Sequence, residues 1–227
     1  MTALISCVVA VFNGERYLAE ALESILAQTY GALDVIVIDD GSTDGTPDVV
    51  ASFARRVRSV RQRNAGPAAA RNRGVAEARG ELIAFLDADD LWHPDKLARQ
   101  AARFLARPEL DVSLTQIQHF WAPELAEEEA RCRQLRIAQP APGYLTAALL
   151  ARRAVFDRVG GFEESWSHVH DTEWFSRLRD RGVEIEMLPE ALVHRRLHPH
   201  NRSRLLAEAS REEYLRWLGT RVRRDRQ

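Results

Sequence analysis

Two short acidic turns, Asp39-Asp40-Gly41-Ser42 and Asp87-Ala88-Asp89-Asp90, each follow a run of apolar residues. Carboxylates gathered in this way repel one another unless a cation neutralises them. Oxygen-rich sites suit Mg2+ or Mn2+, which take one or two carboxylates and leave the remaining positions to phosphate oxygens. The pattern therefore implies a divalent metal and a phosphate-bearing ligand. Asp and Gly are also ordinary turn and cap residues, and an isolated Asp-Asp pair would be read as such. Two acidic turns, both at the ends of runs too apolar to lie on a surface, favour a site.

The elements that must position these turns alternate between β-branched apolar runs and helical periodicities, the signature of a βαβ series and a largely parallel sheet. Strands are expected at Leu4–Phe12, Leu33–Ile38, about Val57–Arg61 and Leu82–Leu86. Between them, Leu18, Leu22, Ile25 and Leu26 repeat at the helical period, Thr46-Pro47 supplies an N-cap and a first-turn proline, and Gly66-Pro67 precedes an Ala-rich helix over 68–78. Pro94 starts a helix that turns Leu97, Ala101, Phe104 and Leu105 inward. Open α/β sheets bind ligands at the carboxyl ends of their strands, which is where both acidic turns fall. The second half is less regular. It reads as a strand at Val112–Phe120, a surface insertion through Glu127-Glu128-Glu129 to Gly143, apolar segments at Leu145–Leu150 and Ala154–Val159, a helix from about Asp171 stopped by Gly182, and two strands at Val183–Leu188 and Ala191–Arg195.

Bulk properties narrow the class. The chain has 227 residues, 45% of them hydrophobic, and a net charge of -1, which suits one well-cored domain and gives no global attraction to nucleic acid. Basic character is confined to one end: residues 195–227 hold ten Arg against four acidic side chains. The segment 203–227 reads as a basic amphipathic helix that either faces solvent or contacts an anionic membrane or an acidic carrier. Two isolated cysteines give neither a disulfide framework nor a metal-ligand spacing, which fits a reducing cytoplasm. Leu4–Phe12 is too short for a membrane span, and Thr2 and Ala3 offer no basic start to a signal peptide. Lys96 is the sole lysine, beside 31 arginines.

From about Leu4 to Ser203 the motifs resemble, in order, those of the inverting family 2 glycosyltransferases. The resemblance implies a GT-A fold, a Rossmann-like three-layer sandwich around a central, mostly parallel mixed sheet. It also implies a domain over 1–202, with a nucleotide-binding half to about 110 and an acceptor half after it. Val9-Ala10-Val11-Phe12-Asn13-Gly14-Glu15 is similar to the family's opening segment, so Val11, Phe12 and Glu15 would hold the nucleoside; Ala10 stands where Pro is common. Asp39 and Asp40 lie in the turn whose acidic side chain reads uracil N3–H. Asn64, Gly66 and Arg71 belong to the segment that lines the nucleotide pocket and sets an Arg near the donor. Leu86-Asp87-Ala88-Asp89-Asp90 resembles the Asp-x-Asp motif, with Asp87 reaching the ribose or a metal-bound water, Ala88 beside the donor, and Asp89 on the metal. Asp171 matches the catalytic base, with His170 where the family commonly has Glu. His198, in Arg196-Leu197-His198, matches a late His that can complete the metal shell.

The activity so implied is metal-dependent, inverting transfer of a hexose or N-acetylhexosamine from a nucleotide-diphosphate sugar, a UDP-sugar, to an acceptor hydroxyl. Trp121, Tyr144 and Trp166 lie in the acceptor half, where aromatic faces either stack on sugars or fill the core. Glu213-Tyr214-Leu215-Arg216-Trp217 superficially resembles the Gln-x-x-Arg-Trp motif of processive synthases, but its Gln is missing, and it reads as a chance match on an amphipathic helix. Three rivals remain. A haloacid-dehalogenase-type phosphatase would carry Asp-x-Asp on its first strand, whereas here it follows the fourth. A sugar-phosphate nucleotidyltransferase would show a Gly-rich basic loop after strand one. A catalytically inactive nucleotide-sugar-binding protein is favoured only by His170.

Overall fold

The computed structural model describes residues 2–224. The chain begins with β1 (Ile5–Val11), α1 (Leu18–Leu26), β2 (Leu33–Asp39), α2 (Thr46–Ser52), β3 (Arg58–Arg61), α3 (Pro67–Glu77) and β4 (Leu82–Asp87). It continues through β5 (Leu91–Trp92), α4 (Lys96–Ala106), β6 (Val112–Trp121), α5 (Ala126–Cys132), β7 (Ala141–Pro142), β8 (Leu150–Arg152) and α6 (Arg153–Val159). The remainder is α7 (His170–Asp180), β9 (Ile185–Leu197), α8 (Arg202–Leu205) and α9 (Ala207–Arg224).

One mixed sheet joins the strands in the order β3-β2-β1-β4-β8-β6-β9-β5, with β7 on β6. The pairs β3–β2, β2–β1, β1–β4 and β6–β9 are parallel. Alternate side chains of a strand face opposite ways, and each face of this sheet carries its own core. Cys7, Val9 and Val11 pack with Leu18, Leu22 and Ile25 of α1 and Leu97 and Phe104 of α4. Val8, Ile36 and Ile38 pack on the other face with Ala68 and Ala70 of α3, Phe156 of α6 and Trp174 of α7. This is the expected α/β three-layer sandwich. Gly74 shows why α3 tolerates a glycine: a Cβ there would run into the Val8 side chain, so the helix lies close on the sheet.

Parallel register places the chemistry. Val11 pairs with Asp39 and Ala10 with Asp87, so the ends of β1, β2 and β4 lie side by side and release both acidic turns at one edge. The chain departs from the sequence expectations at several points. The two late strands are one, β9, with a register irregularity opposite Leu114–Ile117 that takes up the break between the apolar runs. Leu105 is 84% exposed rather than inward, because α4 buries Leu97, Ala101 and Phe104 and Leu105 falls off that stripe. Pro94 precedes α4, whose N-cap is Asp95. Thr46 is inside α2, not its cap: Asp44 Oδ1 accepts the Thr46 N–H, while Thr46 Oγ1 accepts the N–H of Gly14.

Candidate active site

At the strand ends lies a cavity of about 780 Å³. Its lining joins the β1–α1 loop (Val11 to Tyr17), Asp40, Asn64, Arg71 and Asp87 to Asp90 with residues far along the chain: Ser167, His168, His170, Asp171, Arg195, His198, Asn201 and Arg202. Asp39, Gly66, Trp121, Tyr144 and Trp166 are not on the lining. Trp121 Nε1 donates to Glu128 Oε1 at 3.0 Å, and Tyr144, 63% exposed, sits edge-on to Phe175.

The donor-side loops are tied by carboxylates. Asp40, 3% exposed, accepts from Gln62 Nε2 and Ala65 N through Oδ1 and from Gly66 N through Oδ2, at 2.8, 2.9 and 2.9 Å. Asp39 Oδ1 accepts the Ser42 N–H at 2.8 Å, which forms the turn, and its other oxygen faces Arg61. Gly41 at φ +81 completes that turn, and Asn64 backbone N would lie 2.9 Å from a Cβ there, so only glycine fits. Asn13 has φ 54, a conformation Asn tolerates better than most residues, and its Oδ1 accepts from Thr43 N. Glu15 Oε2 accepts from Gly45 N at 2.6 Å. These bonds join the β1–α1 and β2–α2 loops into one rim.

Arg71, buried on α3, joins the two halves of the cavity. Its Nη2 donates to Asp87 Oδ1 at 2.7 Å, and its Nη1 lies 2.5 Å from His170 Nε2 and 3.5 Å from Asp171 Oδ1. His170 Nε2 also lies 3.3 Å from Asp171 Oδ1, so this nitrogen sits between a guanidinium that only donates and a carboxylate that only accepts. Burial, opposed by Asp171 and reinforced by Arg71, depresses the His170 pKa and keeps the ring neutral. Burial would raise Asp87, but the charge and hydrogen bond of Arg71 outweigh it and hold the carboxyl below its ordinary value. Asp171, in the first turn of α7, has looser contacts: Thr146 N and Oγ1 approach its Oδ2 at 3.4 and 3.3 Å. Such a carboxylate keeps lone pairs free to take a proton.

Asp89 forms the second cluster. Its Oδ2 meets His198 Nε2 at 3.0 Å and accepts from Asn201 Nδ2 at 3.1 Å. Asp90 points inward, where burial and the neighbouring Asp89 and Asp87 raise its pKa well above the ordinary value and its Oδ1 accepts the Arg196 N–H. Among the described residues no three His, Cys, Asp or Glu side chains form a ready-made metal cage. The donor set nevertheless fits a hard cation: Asp87 and Asp89 offer oxygens at the cavity edge, His198 offers nitrogen, and phosphate oxygens would fill the other positions. Sequence reasoning missed Asn201. Its Oδ1 accepts from His198 N, and its Nδ2 donates to Arg196 O as well as to Asp89. The available signal was an Asn three residues after the His and just before a helix. Arg196 is a second such residue; its Nε donates to Asp89 O and its guanidinium stacks over Tyr17, which lines the cavity.

A profile described as Glycosyl transferase family 2 matches residues 6–161. An uncharacterized glycosyltransferase of Rickettsia typhi is 27% identical over 95% of this chain and 71% of its own length. Glycosyltransferase GlyG of Streptococcus pneumoniae is 44% identical over 40% of the chain and 32% of its own. Among solved structures, S. aureus TarS 1-349 superposes with a TM-score of 0.70 at 23% identity, covering 87% of this chain and 60% of that one. Mannosyltransferase PcManGT from Pyrobaculum calidifontis gives 0.68 at 22%, covering 88% and 59%. The chain thus spans less than two thirds of GlyG and of both solved proteins. The likeness to both establishes the GT-A fold.

Proposed function

Since the chain belongs to glycosyl transferase family 2, we propose that its cavity binds a UDP-sugar with Mn2+ or Mg2+ and passes the hexose or N-acetylhexosamine, with inversion, to an acceptor hydroxyl. The observation that carries this reading is Arg71, whose one guanidinium touches both Asp87 on the donor side and Asp171 on the opposite wall. It sets a leaving group and a proton acceptor at opposite ends of one polar network. The solved relatives agree in kind: TarS was captured with UDP-GlcNAc, and PcManGT with GDP-Man and Mn2+.

In this reading Val11, Phe12, Glu15 and Asn64 hold the nucleoside beside Asp40, which borders the cavity, while Asp39 and Gly66 shape the turn and loop that present it. Asp87, Asp89 and His198 hold the cation, which when bound supplies charge to offset what develops on the departing diphosphate. The acceptor oxygen bonds to the anomeric carbon as the carbon–oxygen bond to the β-phosphate breaks; UDP departs with that electron pair, and Asp171 takes the hydroxyl proton. One displacement with one base inverts the centre. The neutral His170 leaves Asp171 without a second acid beside it and holds Arg71 in place. The free thiols of Cys7 and Cys132 suit a reducing compartment.

Calorimetry of UDP binding with Mn2+ and with chelator tests the donor site, and early NMR of sugar released from UDP-GlcNAc tests inversion. Equal affinity with and without metal, an unchanged anomer, or formation of UDP-GlcNAc and pyrophosphate from UTP and GlcNAc 1-phosphate would each overturn the proposal.

A further inference from the structure

The segment between Val159 and α7 contains neither helix nor strand, so no ladder of backbone bonds fixes it, yet it supplies Ser167 and His168 to the cavity and leads into His170 and Asp171. A carboxylate from the far end of the chain holds it. Glu213 of α9, its side chain 10% exposed, accepts backbone N–H groups from Ser167 at 2.9 Å, from His168, and from Val169 at 3.0 Å. Of these, Val169 is the N-cap of α7, whose terminal N–H groups lack partners within the helix, and a negative charge there suits the helix dipole. The α7 N-cap makes no side-chain cap bond of its own. Burial alone would raise the Glu213 pKa, but the three amide bonds hold it below the ordinary value, so the cap is ionised.

The grip has a second end. Arg221 donates to both carboxylate oxygens of Asp180, at 3.0 and 2.7 Å, and to the Ser176 hydroxyl. Glu213 and Arg221 are eight residues apart, about 12 Å along a helix, comparable with the length of α7. Arg216, between Glu213 and Arg221 in sequence, lies over the Trp166 ring at 4.8 Å. All of these contacts lie beyond residues 6–161, where the family profile matches.

We propose that Glu213 is a positioning residue: through it, α9 fixes residues 167–169 and the first turn of α7 so that Asp171 faces the donor. The inference rests on the reading of Asp171 as the base. It also gives the Glu213–Trp217 segment a role in this fold distinct from a chance sequence match.

Hydrogen exchange on the free protein and turnover of UDP-GlcNAc by water test it, using Glu213→Ala, Glu213→Gln and, as a stability control, Val50→Ala in α2. Glu213→Ala is expected to speed exchange at 167–169 by at least about tenfold while β1 amides are unchanged. At a temperature well below unfolding, its turnover should fall by about tenfold or more with the UDP dissociation constant within about threefold. Glu213→Gln, which keeps an acceptor oxygen, should recover part of both, and Val50→Ala should change neither. Unchanged exchange at 167–169 in Glu213→Ala, undiminished turnover, or equal losses in Val50→Ala would overturn the inference. No turnover by the unaltered protein would count against the proposed donor, and the exchange rates would still decide the grip.

Discussion

The two walls of the cavity are built on different physical terms. On the donor wall, Val11, Asp39 and Asp87 arrive at the ends of adjacent parallel strands whose register is fixed by continuous ladders. On the acceptor wall, the functional groups are held by individual hydrogen bonds from other parts of the chain: Asp171 by Arg71 and Thr146, the His198 backbone N–H by Asn201 and its ring by Asp89, and the 167–169 backbone by Glu213. Strand ends move only if a buried sheet moves. A wall held by individual hydrogen bonds can be released one bond at a time, so substitutions there should separate turnover from binding more cleanly than substitutions on the donor wall.

The largest test of that difference is Asp171→Asn, which keeps shape and hydrogen bonding but cannot accept a proton. Turnover should fall by about 10²- to 10⁴-fold while UDP affinity changes by less than about threefold. Steady-state kinetics beside calorimetry reads both, and full turnover would remove Asp171 from the mechanism and leave the acceptor wall without a base. On the donor wall the corresponding change is Asp89→Ala. In the unaltered protein Mn2+ should tighten UDP binding by at least about tenfold, roughly 1.4 kcal/mol. The variant should lose that gain and keep its melting temperature within a few degrees, because Asp89 follows a strand end and carries little of the core. Global unfolding would instead make Asp89 a structural turn residue.

Asn201→Ala should give a smaller effect that connects the walls. Outer partners of metal ligands commonly contribute about 10- to 100-fold in metal affinity. Titration of Mn2+ in the presence of UDP should therefore weaken towards the lower end of that range, since His198 and Asp89 still face each other in the variant. No change would mean that the backbone of β9 alone sets His198.

This contrast also explains what the sequence made legible. Strands β1, β2 and β4 and the two acidic turns can be read locally, because β-branched runs end in Asp and the ligand-binding edge follows from parallel topology. Arg71 and Asp171 entered through family resemblance, and nothing in their immediate neighbours shows that one guanidinium would span Asp87 and Asp171 across the cavity. Asn201 and Glu213 carry their information in tertiary pairing. A Glu on a basic amphipathic helix looks solvated until the amides it caps are known. Leu105 failed for a simpler reason, since the apolar stripe of a helix is narrower than a list of its leucines.

The smallest expected effect concerns the polar joint beneath both walls. Lys96 is fully buried on α4; its Nζ donates to Gln100 Oε1 and Leu149 O at 2.9 and 3.3 Å and lies 4.2 Å from the Trp92 ring. Gln100 in turn donates to Ser113 O and Ala148 O, so the pair ties α4 to the strands of the acceptor half while the Lys96 charge is felt by Cys7 in β1. Burial lowers the Lys96 pKa from 10.5 to about 7. Between those values the unfolded chain holds a proton that the folded chain lacks, so stability rises with pH; below about 7 both states are protonated and the cost is constant. Cys7, pushed by burial from 9.0 to about 12, acts in the opposite direction above 9, which leaves a window from about 7 to 9 for Lys96 alone of the two. Lys96→Met should abolish up to about 1.4 kcal/mol per pH unit of slope there. At pH 7 the relief from burying an amine is offset by the unpaired Gln100 and Leu149 oxygens, so the net change should stay within about 2 kcal/mol. Urea unfolding at pH 7 and pH 9, with UDP affinity measured beside it, reads the outcome. A slope that persists in Lys96→Met would assign it to other groups, and a loss of UDP affinity would show that the donor wall depends on this joint rather than on its strand ladders alone.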